Sequence, residues 1–194
     1  MTTFRTSTII AALLCGTTAS ADVTAQQVWD NWTDQMEIYG QGFTTESETM
    51  SGDALVIAGV KIDMADDEAA ILAQLGDIQL TENGDGTVTI TTAASYPMTL
   101  KFTPEYGDPS TIEMTVEQAG LEMVVSGEPD AMNYDFSVDR YAFTVDSIQG
   151  ADDDFELDEF VVAMMDMAGT YSIKSDNLTR IAYQIEVGTV DIDA

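Results

Sequence analysis

Tyr134-Asp135-Phe136-Ser137-Val138-Asp139-Arg140-Tyr141-Ala142-Phe143-Thr144-Val145 is the stretch that decides the fold. Tyr134, Phe136 and Val138, then Tyr141, Phe143 and Val145, are separated mainly by polar residues. A helix would bring apolar residues together at spacings of three and four. Alternation with period two instead describes an extended chain with one face in the interior and one in water.

The same alternation recurs on either side. Val60, Ile62 and Met64 oppose Lys61 and Asp63; Met98, Leu100 and Phe102 oppose Thr99 and Lys101; Ile112, Met114 and Val116 oppose Glu113 and Thr115. The last run sets Ile181, Tyr183, Ile185 and Val187 against Ala182, Gln184 and Glu186. Turn chemistry falls between the runs. Asn83-Gly84-Asp85-Gly86 is a strong hairpin signal, and Tyr106-Gly107-Asp108-Pro109 and Gly127-Glu128-Pro129-Asp130 separate further strands. Turns recurring at about 8–12 residues belong to all-β chains. Residues 155–168 fit a helix through Phe160, Val161, Met164 and Met165, but alternation running on through Met167, Tyr171 and Ile173 favours a strand. Ala58-Gly59, Ala119-Gly120 and Ala168-Gly169 form a faint echo of the kind repeated β-units leave. The expected architecture is mainly β: an antiparallel meander forming a curved sheet, sandwich or β-roll, preceded by one N-terminal amphipathic helix.

That helix is read in residues 22–42. Thr24 or Asp22 can cap it, Val28, Trp29, Trp32 and Met36 form its apolar stripe, and Gly40 and Gly42 end it. Trp29 and Trp32 are candidates for a partner surface, although such a stripe more often packs on the body of its own domain. Residues 1–21 read as a cleavable signal peptide: Arg5 supplies the charge, Ile9 to Leu14 a short apolar run, and Ala19-Ser20-Ala21 the cleavage site. The expectation is a periplasmic or secreted protein. Residues 43–194 then form one antiparallel β domain, which stops in what reads as mid-strand, as either a naturally short form or a C-terminally incomplete chain would.

Removal of residues 1–21 would leave five basic residues against 35 acidic ones, a net charge of −30. Phosphate neutralisation needs a basic footprint, and Lys61, Lys101, Arg140, Lys174 and Arg180 are too few and too dispersed for nucleic acid. The acidic residues are spread along the chain, which describes a strongly solvated surface better than a cation site. No stretch is long and apolar enough for a membrane-spanning helix.

The chain has no histidine, and its one cysteine, Cys15, lies in the leader. Catalysis through a Ser-His-Asp triad, a Cys-His pair or an imidazole-held zinc is therefore excluded. No cofactor is implied. The densest carboxylate group, Asp152, Asp154, Glu156 and Asp158 with their neighbours, has the oxygen ligands calcium takes. Its spacing departs from a calcium loop, because Leu157 stands where the sixth-position glycine belongs.

The apolar face carries Met64, Met98, Met114 and Met123 together with Phe102 and Phe136. Methionine adapts to irregular partners, on binding surfaces as well as in cores. Many one-sided strands with a single helix to cover them leave two arrangements: a sheet closed on itself, or an apolar groove that receives a ligand.

Three segments resemble a known family. Asp22-Val23-Thr24-Ala25-Gln26-Gln27-Val28-Trp29 after the leader, Glu82-Asn83-Gly84-Asp85-Gly86-Thr87-Val88, and Ala168-Gly169-Thr170-Tyr171 are similar to the exported alphaproteobacterial proteins of the domain-of-unknown-function family 2125. The resemblance implies export and a chain longer than this one, and brings no activity or functional residue with it. The expected function is a non-enzymatic periplasmic β-protein that holds a lipid, acyl chain or other apolar molecule on its sheet. The alternative is a structural or protein-interaction module with a closed core, no ligand and an envelope protein as partner.

Overall fold

The computed structural model describes residues 22–38, 42–65, 69–103, 109–150, 160–175 and 179–193. Residues 1–21, expected to be a leader, and the carboxylate group at residues 152–158 lie outside the described residues. One helix, α1 (Ala25–Ile38), precedes eleven strands: β1 (Phe43–Thr44), β2 (Ser47–Ser51), β3 (Ala54–Ala65), β4 (Ala69–Glu82), β5 (Val88–Thr91), β6 (Ser95–Phe102), β7 (Ser110–Ala119), β8 (Glu122–Glu128), β9 (Ala131–Gln149), β10 (Phe160–Ser175) and β11 (Thr179–Asp193). All belong to one antiparallel sheet. Residues 160–168 are strand rather than helix, although the alternation expected through Met165 and Met167 breaks at Asp166, which has positive φ.

The topology is a meander whose two middle lanes are each broken once. β5 pairs with Gln79–Glu82 of β4 and β6 with Ala69–Ala73 of the same strand, so β5 and β6 follow one another along one edge. β7 and β8 follow one another along β9 in the same way. β5 in turn pairs with β8, and β6 with β7. The lanes run β3, β4, β5–β6, β7–β8, β9, β10, β11, with β1 and β2 on the outer edge of β3.

A crease crosses this sheet from lane to lane. Gly59, Gly76, Gly120 and Asp166 all have positive φ, at 61°, 75°, 66° and 52°. Val60, beside Gly59, pairs with Gly76 across a register shift. Gly76 lies against Ala93, and the backbone N–H of Gln118 donates to the carbonyl of Ala94 at 2.8 Å. Gly120 packs on Asp139, and Gly188 on Asp166. The pairs Val138↔Met167 and Arg140↔Met165 bracket Asp139 and Asp166. Left-handed residues of this kind interrupt the pleat, and a row of them bends a sheet across its strands.

The alternation changes phase at the crease. On one side the apolar face runs through Leu55 and Ile57, Ile78 and Leu80, Met132 to Val138, and Met167 to Ile173. On the other it runs through Val60 and Ile62, Ile71 and Ala73, Tyr141 to Val145, and Val162 and Met164. The Ala-Gly echo is not a structural repeat: Gly59 sits in a β3 bulge, Gly120 in the β7–β8 break, and Gly169 in the middle of β10.

The sheet also rolls about its long axis. β3 and β10 are five lanes apart in pairing order, about 24 Å in a flat sheet. Phe43, Ile62 and Tyr171, which lie at those two ends, nevertheless line one small cavity together with Trp32. The helix fills the roll on one side of the crease. Val28 and Trp29 are buried with Leu55, Ile57, Ile78, Leu80, Val88, Val125, Met132, Tyr134 and Ile173 in a single core.

Local chemistry fixes the helix in place. Thr24 Oγ1 accepts from the backbone N–H of Gln27 at 3.2 Å, while the backbone N–H of Thr24 donates to Gln27 Oε1 at 3.0 Å. This reciprocal cap selects Thr24 over Asp22. The next backbone N–H, that of Ala25, donates to the Glu82 carboxylate at 2.9 Å and ties the helix start to the end of β4. The hairpin signal at residues 83–86 joins β4 to β5, closed by Asn83 N–H donating to Thr87 O at 2.7 Å.

Candidate apolar site at the crease

A cavity of about 360 Å³ lies along the crease, between the sheet and the side of α1. Four lanes each give it two residues that stand three apart: Leu75 and Ile78, Gln118 and Leu121, Val138 and Tyr141, Met164 and Met167. In an unbroken strand such residues would face opposite ways, so the phase change at the crease is what gathers them. Trp32, Met123, Phe136, Thr92 and Tyr96 complete the wall.

Trp32 is the contribution of α1. Its ring stacks over Tyr134 at a centroid distance of 6.4 Å, and Tyr134 leans on Tyr171 at 5.4 Å. Tyr134 donates its hydroxyl hydrogen to Asn31 Oδ1 at 3.0 Å, a second tie between helix and sheet. Trp32 and Leu75 also line the neighbouring 290 Å³ cavity with Met36 and Phe43, so the apolar space continues around the helix.

Polar groups are few. The hydroxyls of Tyr96 and Tyr141 lie 2.8 Å apart. The Gln118 amide is engaged at the wall, donating to Thr92 Oγ1 and to the carbonyl of Ala93, which staples the β5–β6 break to β7. Burial pushes the Tyr96 hydroxyl well above the usual tyrosine range, and the bond to Tyr141 adds to the shift. Burial does the same to Tyr134, with the neighbouring Tyr171 second. Both phenols stay protonated at neutral pH. Among the described residues no Asp, Glu, Lys or Arg lines the cavity.

The residues expected to form an apolar binding face divide into two groups. Met123 and Phe136 are a cross-strand pair and both line the cavity. Met98 and Met114 are also paired, on the face that carries Tyr96, but beyond the cavity. Met64 joins that face through Ile71 and Leu100, and Phe102 ends it, 39% exposed. The two tryptophans do not form one exposed stripe. Trp29 is 2% exposed, packed on Phe43 at 5.1 Å, and offers nothing to a partner; Trp32 is half-buried at the cavity. Among the described residues no group of three or more acidic side chains could hold a metal ion.

Sequence reasoning missed Tyr96, Leu121, Tyr141, Met164 and Met167 as lining residues. The signal for two strands was present: Val138 and Tyr141, like Met164 and Met167, are three apart within otherwise alternating runs.

No family model matches the chain, and no curated protein and no solved structure matches it.

Proposed function

We propose that this protein is a non-enzymatic binding protein of the cell envelope that holds an uncharged apolar ligand, a lipid or acyl chain, in the cavity at the crease. The observation that carries the reading is the cavity itself: about 360 Å³, with nine of the thirteen described residues that line it hydrocarbon, indole or thioether in character. That volume lies in the range of about 300–1,000 Å³ typical of small-molecule sites. Among the described residues the wall offers no cation to hold a carboxylate or phosphate, and the chain's net charge of −29 repels anions. An anionic headgroup would have to stay outside in water.

The Tyr96–Tyr141 bond uses one of two hydroxyl hydrogens. The other can donate to a carbonyl or ester oxygen of the ligand, so the pair serves as a polar anchor at the cavity wall. Methionines at positions 123, 164 and 167 suit a flexible chain, because thioethers repack at small cost. Export through the leader supports an envelope location. The absence of histidine and of cysteine outside the leader supports a role without covalent chemistry.

Titration of solvent-extracted protein with a fluorescent monoacylglycerol tests the reading. Saturable binding is expected, together with its loss in M123W, whose indole would fill the cavity, at unchanged far-ultraviolet circular dichroism. Binding that M123W leaves intact would place the ligand elsewhere, and no saturable binding by the parent chain would overturn the proposal.

A further inference from the structure

Two apolar cavities meet at Trp32 and Leu75. The cavity at the crease, about 360 Å³, and its neighbour, about 290 Å³, share these two residues. Trp32 hangs from α1, and Leu75 rises from β4 beside Gly76, one of the left-handed residues of the crease. Because they line both spaces, they stand on the boundary between them. The stack of Trp32 on Tyr134, at 6.4 Å, fixes the helix side of that boundary. Neither lining draws on β11.

The second chamber repeats the chemistry of the first. Met36, Phe43 and Ile62 complete its apolar wall with Trp32 and Leu75, while Gln35 and Tyr171 are its polar residues. Among the described residues no charged side chain lines either chamber. All seven described residues of the second lining are half-buried, so each keeps part of its surface in water. A polar head group placed there would lose its hydration against a wall with few partners to replace it. A hydrocarbon chain would instead release water from apolar surface. One chain filling both chambers would have to bend through the boundary that Trp32 and Leu75 occupy, whereas two chains branching from one point pass on either side of it. Chambers alike in size and wall chemistry suit two chains of one kind. We propose that the ligand is an uncharged two-chain lipid of the diacylglycerol class, seated astride Trp32 and Leu75 with one acyl chain in each chamber. This rests on the crease cavity being an acyl-chain site; the second chamber sets the number of chains.

Displacement of a fluorescent monoacylglycerol by monooctanoylglycerol and by dioctanoylglycerol counts the chains. The two-chain lipid should compete more than about tenfold better, because its second chain buries several further methylenes. M36W and Q35W each bring an indole to the second chamber from neighbouring positions of α1, and neither residue lines the crease cavity. Each variant should bring dioctanoylglycerol down to the level of monooctanoylglycerol, with monoacylglycerol affinity and circular dichroism unchanged. M123W, which fills the crease cavity, should weaken both lipids. Three results would overturn the two-chain assignment with the crease cavity still an acyl-chain site: no advantage for dioctanoylglycerol, an advantage that survives in both M36W and Q35W, or an equal loss of both lipids in those variants. No saturable binding of either lipid would overturn the reading of the crease cavity itself, and this assignment with it.

Discussion

Met164 and Met167 stand three residues apart in β10 and line the same cavity. Asp166 between them, at φ 52°, makes this possible by turning the strand through a left-handed residue. The same exchange of faces occurs at one level in the neighbouring lanes. The cavity is therefore a product of the crease, and the positions that build the crease control its shape.

Substitutions at the crease should separate by backbone tolerance. Gly120 has φ 66°, and a Cβ there would run into the Asp139 carboxylate. G120V is expected to cost about 2–4 kcal/mol from backbone strain and overpacking. D166G should change stability by less than about 1 kcal/mol, since glycine relieves the left-handed strain but frees the unfolded chain. D166V should cost more than about 2 kcal/mol. Urea unfolding of the three variants checks the order.

Y96F and Y141F each remove one hydroxyl from the 2.8 Å pair. Either is expected to cost about 1 kcal/mol, and the double variant about the same as one single, because both break one hydrogen bond. A double-mutant cycle by urea denaturation reads the coupling. Both singles should also weaken monoacylglycerol binding more than binding of a plain hydrocarbon probe.

Stability should fall at alkaline pH. Tyr96 and Tyr134 are raised above the ordinary tyrosine value in the folded state, chiefly by burial. A folded state that holds its protons more tightly than the unfolded one is fully favoured below the unfolded value of about 10 and loses that advantage as pH rises past it. Thermal melts should show a decline setting in near pH 10, and Y96F/Y134F should make it shallower.

The two tryptophans should part company. Trp29 is packed in the core at 2% exposure, and W29A is expected to cost about 3–5 kcal/mol. Trp32 is half-buried beside open space, so W32A should cost less than half as much while weakening ligand binding. Denaturation midpoints and lipid titration measure the two effects side by side.

Salt and mild acid should both stabilise the chain. Self-repulsion at a net charge of −29 is screened within about 3 Å in 1 M salt, so the melting temperature should climb with NaCl, and KCl should match it. Protonating repelling carboxylates acts in the same direction as pH falls from 7 towards 5. Asp85 opposes this at lower pH. Its bonds to the Thr87 hydroxyl and backbone N–H hold its carboxyl below the usual value of 3.8. The stability it contributes is present above that value and disappears as pH falls through the folded one. D85A should therefore be less stable than the parent at pH 7, the gap closing as pH falls below the usual carboxylate value of 3.8.

The sequence by itself determined the class of structure, because the signals for it are local. Alternation at residues 134–145 and its neighbours selects strands; the Asn83 to Thr87 turn closes a hairpin through its own backbone; Thr24 and Gln27 cap the helix within one turn. These depend on residues a few positions apart, and the same arithmetic set Met64, Met98, Met114, Met123, Phe102 and Phe136 on one face. It could not tell which of them would share a site. Only the tertiary structure decided that Met123 and Phe136 meet Trp32 while Met98 and Met114 lie beyond, and that Trp29 disappears into the core. Those outcomes depend on how far the sheet rolls and on glycines in separate lanes falling into one row. Period-two spacing fixes the direction of a side chain relative to its own backbone; position relative to other strands is set by hydrogen-bond pairing between residues far apart in the chain, which no local spacing records.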